Sequence, residues 1–240
     1  MRDPMVAVVD PFLEAIDPVA GEGWSAVLYG SLARGHFVPE RSDINLLLVL
    51  PVIERSTLNG FRAGMERWST AGYPPPLLFT AAEWRRAQDV YQVELADMLV
   101  GYRVLRGADP LAAARLRPPD LRRQLERELR GKQLRLRQGY TLVGDDPAGM
   151  GELALRSVPT VLVLLRGVLA MVGAPPAVAP SEVVSGAEAA TGLGLQPIGT
   201  AAAHRPEPRW ECSPQEFLSY LAAVTSVADF VDRFDPGEPR

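Results

Sequence analysis

Apolar residues along this chain follow two different periods, and the change falls near residue 117. Upstream, short apolar runs bounded by glycine and proline alternate with segments of helical spacing. Met5, Val8, Val9, Phe12, Leu13 and Ile16 share one helical stripe, with Pro11 predicting that the helix is short or kinked. Residues 24–29 predict a strand closed by Gly30 and Ser31, and residues 31–36 the opening of a helix that stops before Pro39. Residues 44–50 are apolar almost without a break and end at Pro51, the pattern of a strand buried on both faces. A helix over 57–70, a strand over 77–79, a helical turn over 83–87 and an alternating strand over 90–96 complete this half.

Beyond Arg117, Pro118 and Pro119 the spacing is helical. Helices are predicted over 119–143, 152–172, 181–192 and 213–233, with Ser181 and Ser213 as N-caps of the last two. Pro159 either kinks the second helix or starts its main run. Residues 195–212 read as a surface loop. The apolar run over 158–172 is too short for a bilayer and is interrupted by Arg166, so it predicts a buried helix and requires no membrane segment. The expected fold class is α+β over 1–117, a mixed sheet with flanking helices, followed by an all-α helical bundle over 118–240.

Hydrophobic residues at 47% and charged residues at 22% are an ordinary soluble composition. The single cysteine, Cys212, excludes an intramolecular disulfide and a cysteine metal cluster, and fits a cytoplasmic protein. Acids interrupt the apolar N-terminal stretch, so no signal-peptide core is expected there. A formal charge of −4 makes a nucleic-acid backbone a poor partner. The exception is local: residues 118–140 hold seven basic and three acidic side chains, enough to serve a small polyphosphate.

The candidate chemistry lies in VLYGSLARGHFVPERSDINLLLVL, residues 27–50. Gly30 lets backbone approach a ligand, and Ser31 adds a hydroxyl where a helix is expected to start, an arrangement that favours phosphate. Asp43 and Asn45, two residues apart at the head of a strand, project to one side. Oxygen ligands placed this way suit Mg²⁺.

Gly30 and Ser31, then Ala33, Arg34 and Gly35, then Ser42, Asp43, Ile44 and Asn45 before an apolar strand resemble the signature of the DNA polymerase β-like nucleotidyltransferase superfamily. The resemblance is strongest to its small bacterial members and the aminoglycoside nucleotidyltransferases, and it covers about 25 residues closely. It implies the nucleotidyltransferase fold, a nucleoside triphosphate as substrate, and Mg²⁺ or Mn²⁺ assisting transfer of a nucleoside monophosphate to an acceptor on a small molecule or protein. It also implies a third carboxylate on a later strand. On the strand expected over 90–96, Glu94 shares the polar face with Gln92, whereas Asp97 has the wrong parity unless the strand has ended. Glu94 is accordingly assigned as metal ligand or general base. The metal set is then Asp43, Asn45 and Glu94, with Asp43 and Glu94 catalytic and Gly30 and Ser31 on the phosphates.

One position departs from the family. Where the resemblance implies a second aspartate this chain has Asn45, a neutral amide with one acceptor oxygen. Lys132, the chain's one lysine, adds a further expectation: it falls within the apolar stripe of Leu121, Leu125, Leu129, Leu136, Tyr140 and Val143, and is assigned to the triphosphate. His36 and His204 read as ordinary surface residues. Two functions follow: a Mg²⁺-dependent nucleotidyltransferase weakened by Asn45, or a catalytically degenerate relative that binds nucleotide or a protein. Either is compatible with an oligomer.

Overall fold

The computed structural model describes residues 4–235. Among them are one four-stranded mixed sheet and nine α-helices, a mixed α/β composition dominated by helix. The chain divides into two compact units. The first comprises the residues up to Phe37 with Asp43–Gln88 and Gly101–Ala114; the second comprises Val38–Ser42, Asp89–Val100 and the residues from Arg115 onward.

In the first unit, a π-helical turn at Met5–Val9 runs directly into α1 (Asp10–Ala20), with Pro11 just after the change from π to α spacing. Strands β1 (Ser25–Tyr29) and β2 (Asn45–Leu50) pair antiparallel, with Tyr29 opposite Asn45. Helix α2 (Arg55–Thr70) follows, then β3 (Leu77–Thr80), parallel to β2, and α3 (Ala81–Ala87). Strand β4 (Tyr102–Arg106), which the sequence pattern did not predict, pairs antiparallel with β1 and gives the order β3-β2-β1-β4. Ala26, Leu28, Leu46, Leu48 and Leu50 of the central strands form a core with Phe12, Ile16, Phe61 and Trp68. Leu47 and Val27, of opposite parity, are also buried, as a strand covered on both faces requires.

The expected helix over 31–36 is a single turn instead. Arg34 N–H donates to Gly30 O at 3.2 Å and His36 N–H to Ser31 O at 2.9 Å, while Gly35 takes a φ of 77°. That six-to-one bond over a left-handed glycine is how helices end, so the turn closes as soon as it opens.

The second unit holds α4 (Gln92–Val100), α5 (Pro118–Val143), α6 (Pro147–Met171), α7 (Pro180–Thr191), α8 (Gln196–Ala203) and α9 (Pro214–Arg233). Helix α8 lies in what was expected to be loop. Ser213 caps α9 by accepting from Glu216 N–H, but α7 starts at Pro180, with Ala179 rather than Ser181 at the cap. Pro159 lies inside α6. By length and composition α6 could cross a membrane, yet most of its apolar stretch is buried inside this unit, against α4, α5, α7, α8 and α9.

The expected strand over 90–96 is the second correction. Of its two polar positions, Gln92 is buried with a partner and Glu94 is half-buried, rather than both facing solvent. Gln92 Oε1 accepts from Arg117 N–H at 2.5 Å, and Asp97 meets Arg166 at 3.2 Å. Val93 and Ala96, spaced as on a helix, enter the core of the second unit.

Candidate functional site

Gly30 and Asn45 are brought together by strand pairing. Gly30 follows β1 with a φ of 83°, a conformation that costs glycine nothing and other residues dearly. The carboxamide of Asn45 fills the space beside it: a β-carbon on Gly30 would lie 2.7 Å from Asn45 Nδ2. Asn45 therefore lies against Gly30, at the corner where the chain leaves β1. Asp43 and Asn45 flank Ile44, which is fully buried, so the two polar residues lie on the other side of the chain from the core. Asp43 is exposed and Asn45 half-buried. Ser31, half-buried, opens the short turn, which at about one turn in length supplies little of the macrodipole that a full helix lends to phosphate.

The sequence matches no protein-family model, and no curated protein is significantly similar to it. The corner has to be read from its own atoms.

Those atoms offer few metal ligands. None of β1 to β4 carries an acidic residue, and the strand beside β2 presents Leu77, Leu78, Phe79 and Thr80. Among the described residues no group of three or more His, Cys, Asp or Glu side chains is placed to hold a metal ion. Of residues 43–50 only Asp43 carries a carboxylate, while Asn45 supplies a neutral amide. One carboxylate can bridge two divalent ions but carries too little charge to neutralise them, so this donor set falls short of a two-cation centre.

Glu94 and Lys132 lie in the second unit. Glu94 sits in the first turn of α4, half-buried, and accepts from Gln124 Nε2 at 2.9 Å, while Gln124 Oε1 accepts from Val93 N–H at 2.9 Å. Gln124 thus holds the start of α4 and the Glu94 carboxylate together, which is the geometry of a helix cap. Asp97, the other candidate acid, is committed to Arg166. Lys132 lies at the edge of the buried stripe of α5 rather than within it. The buried position belongs to Gln133, whose Nε2 donates to Thr225 Oγ1 at 2.9 Å. Burial pushes the Lys132 amine below its ordinary range, Arg135 adds to this, and Glu128 opposes it. His204, expected on the surface as an ordinary residue, is stacked on Trp210 at 4.7 Å with the rings 8° from parallel.

Proposed function

We propose that this protein is a nucleotidyltransferase-like nucleotide-binding module that has lost turnover. The observation that supports it best is the pairing of Asp43 with an amide instead of a second acid, on a sheet whose strands supply no replacement. Gly30 and Ser31 receive the phosphates through backbone and hydroxyl, and Asp43 meets the cation that the triphosphate carries. Asn45 supports the corner by packing on Gly30 and offers one neutral oxygen. Transfer chemistry demands more negative charge at the metals than this donor set supplies, so bound nucleotide stays intact.

Calorimetry with ATP, CTP, GTP and UTP in Mg²⁺ or Mn²⁺ tests the binding half. The expected result is saturable binding of at least one triphosphate, lost in Asp43→Ala. No binding by any of the four overturns the module. A pyrophosphate-release assay with hydroxyl and amine acceptors tests the silent half. Release from the native chain would make it an active transferase, and release appearing only in Asn45→Asp would show that the amide is what silenced it.

A further inference from the structure

The segment Val38–Ser42 belongs to the second unit and is followed directly by Asp43. It is held there by a set of polar contacts that converge from two places on the helical unit. Arg205, in the turn after α8, is almost completely buried; its Nη2 donates to Arg41 O at 2.8 Å and to Ser42 Oγ at 3.2 Å. Ser42, itself buried, accepts at the same oxygen from Val38 N–H at 3.0 Å, closing the segment on itself. The Arg41 side chain reaches back: Nη1 meets Glu152 of α6 at 2.7 Å, and Nη2 donates to Pro208 O at 3.1 Å.

The surface that receives the segment is firm. His204 is stacked on Trp210, Cys212 N–H donates to Pro147 O at 3.0 Å, and Gly151 of α6 lies so close to Trp210 O that a side chain there would collide with it. Glu152 is shared with Arg156 at 2.7 Å, and its two arginines hold its carboxyl below the usual carboxylate range despite partial burial. A guanidinium taken out of water to bind a carbonyl and a hydroxyl of one short segment fixes that segment's backbone rather than merely decorating it.

We infer that Arg205 is a positioning residue for Asp43, with Glu152 assisting through Arg41. By gripping residues 38–42, Arg205 fixes the backbone that leads directly into Asp43. This rests on the nucleotide-binding reading in one respect only, the ligand at Asp43. Linkage then requires that Arg205 and the ligand influence each other: losing the grip weakens the ligand, and the bound ligand tightens the segment.

Hydrogen exchange and Mn²⁺·ATP affinity test this together, on the full chain, with Arg205→Ala, Arg205→Lys and Glu152→Gln. Arg205→Ala is expected to speed exchange across residues 38–45, with Val38 N–H most affected. It should weaken Mn²⁺·ATP on the order of tenfold, within the range of ordinary site coupling. Arg205→Lys, which keeps one donor for Arg41 O, should recover part of both effects. Glu152→Gln should reproduce them more weakly, and serves alone if Arg205→Ala does not fold. Unchanged exchange over 38–45 in a folded variant overturns the inference. Faster exchange with unchanged affinity also overturns it, leaving Arg205 a structural residue. If the native chain binds no nucleotide, the proposed function falls, and the exchange data still decide whether Arg205 holds the segment.

Discussion

Arg166 Nη1 lies 3.2 Å from Asp97 Oδ1 inside the helical unit, with the two side chains only 6% and 5% exposed. Arg166 also donates from Nε to Ala177 O at 3.3 Å and from Nη2 to Val178 O at 3.0 Å, so it ties α4 and α6 to the approach to α7. Removing one member of such a pair leaves the other as a buried charge. Asp97→Ala is expected to cost about 3–5 kcal/mol in urea unfolding, whereas Asp97→Leu with Arg166→Met should cost much less. Equal losses from the single and double changes would show that the charges themselves matter little.

Gly30 carries a second prediction. Gly30→Ala should lose about 1–3 kcal/mol, from a left-handed backbone forced on alanine and from collision with the Asn45 carboxamide. Asn45→Ala in the same chain removes the collision but not the backbone strain. The double variant should therefore lose less than the two single losses combined, a coupling that chemical denaturation can measure.

Lys132 offers a pH test with a definite sign. Its folded pKa lies below its unfolded one, near 10.5, so between the two values the unfolded chain holds the extra proton. Stability then rises with pH through that window, and at neutral pH the charged amine is carried at a cost. Lys132→Met should melt no lower than the native protein at pH 7, and any advantage should shrink toward pH 10.5. Because the chain has a single lysine, ¹³C-methylation gives one lysine NMR titration, distinct from that of the α-amine, to check the downward shift. A midpoint at or above the ordinary value would contradict it.

Burial pushes the Cys212 thiol up to about 11, with Glu216 adding to the effect. At pH 8 the thiolate is scarce and covered, so maleimide labelling should be slow in the folded protein and rapid in denaturant. Rapid labelling without denaturant would mean that the stretch before α9 opens locally.

Much of the fold was legible in the spacing of apolar residues. Central strands β1 and β2, α2 and the four long helices of the second half each bury a continuous run or stripe. What stayed hidden depends on partners distant in sequence. Gln92 imitates the solvent side of a strand until Arg117 N–H is seen to satisfy it, and Asp97 shows no sign in the sequence of its distant partner Arg166. Strand β4, with arginines at 103 and 106, becomes a strand by pairing with β1 more than by its own pattern. The corner at Gly30 and Asn45 was readable as a motif, because pairing of adjacent strands turns a short sequence interval into a spatial one. Arg205 was not, since nothing near it in sequence announces that its guanidinium reaches Ser42.

The interleaving of the two units limits how the protein can be cut. Helix α4 precedes β4 in the chain, yet its Val93 and Ala96 belong to the interior of the helical unit. Cleavage at residue 117 would leave the C-terminal piece with an unfilled slot along α6 and Arg166 deprived of the Asp97 carboxylate. Such a piece, expressed alone, should precipitate or remain loosely folded, and supplying residues 89–100 as a separate peptide should rescue it in part.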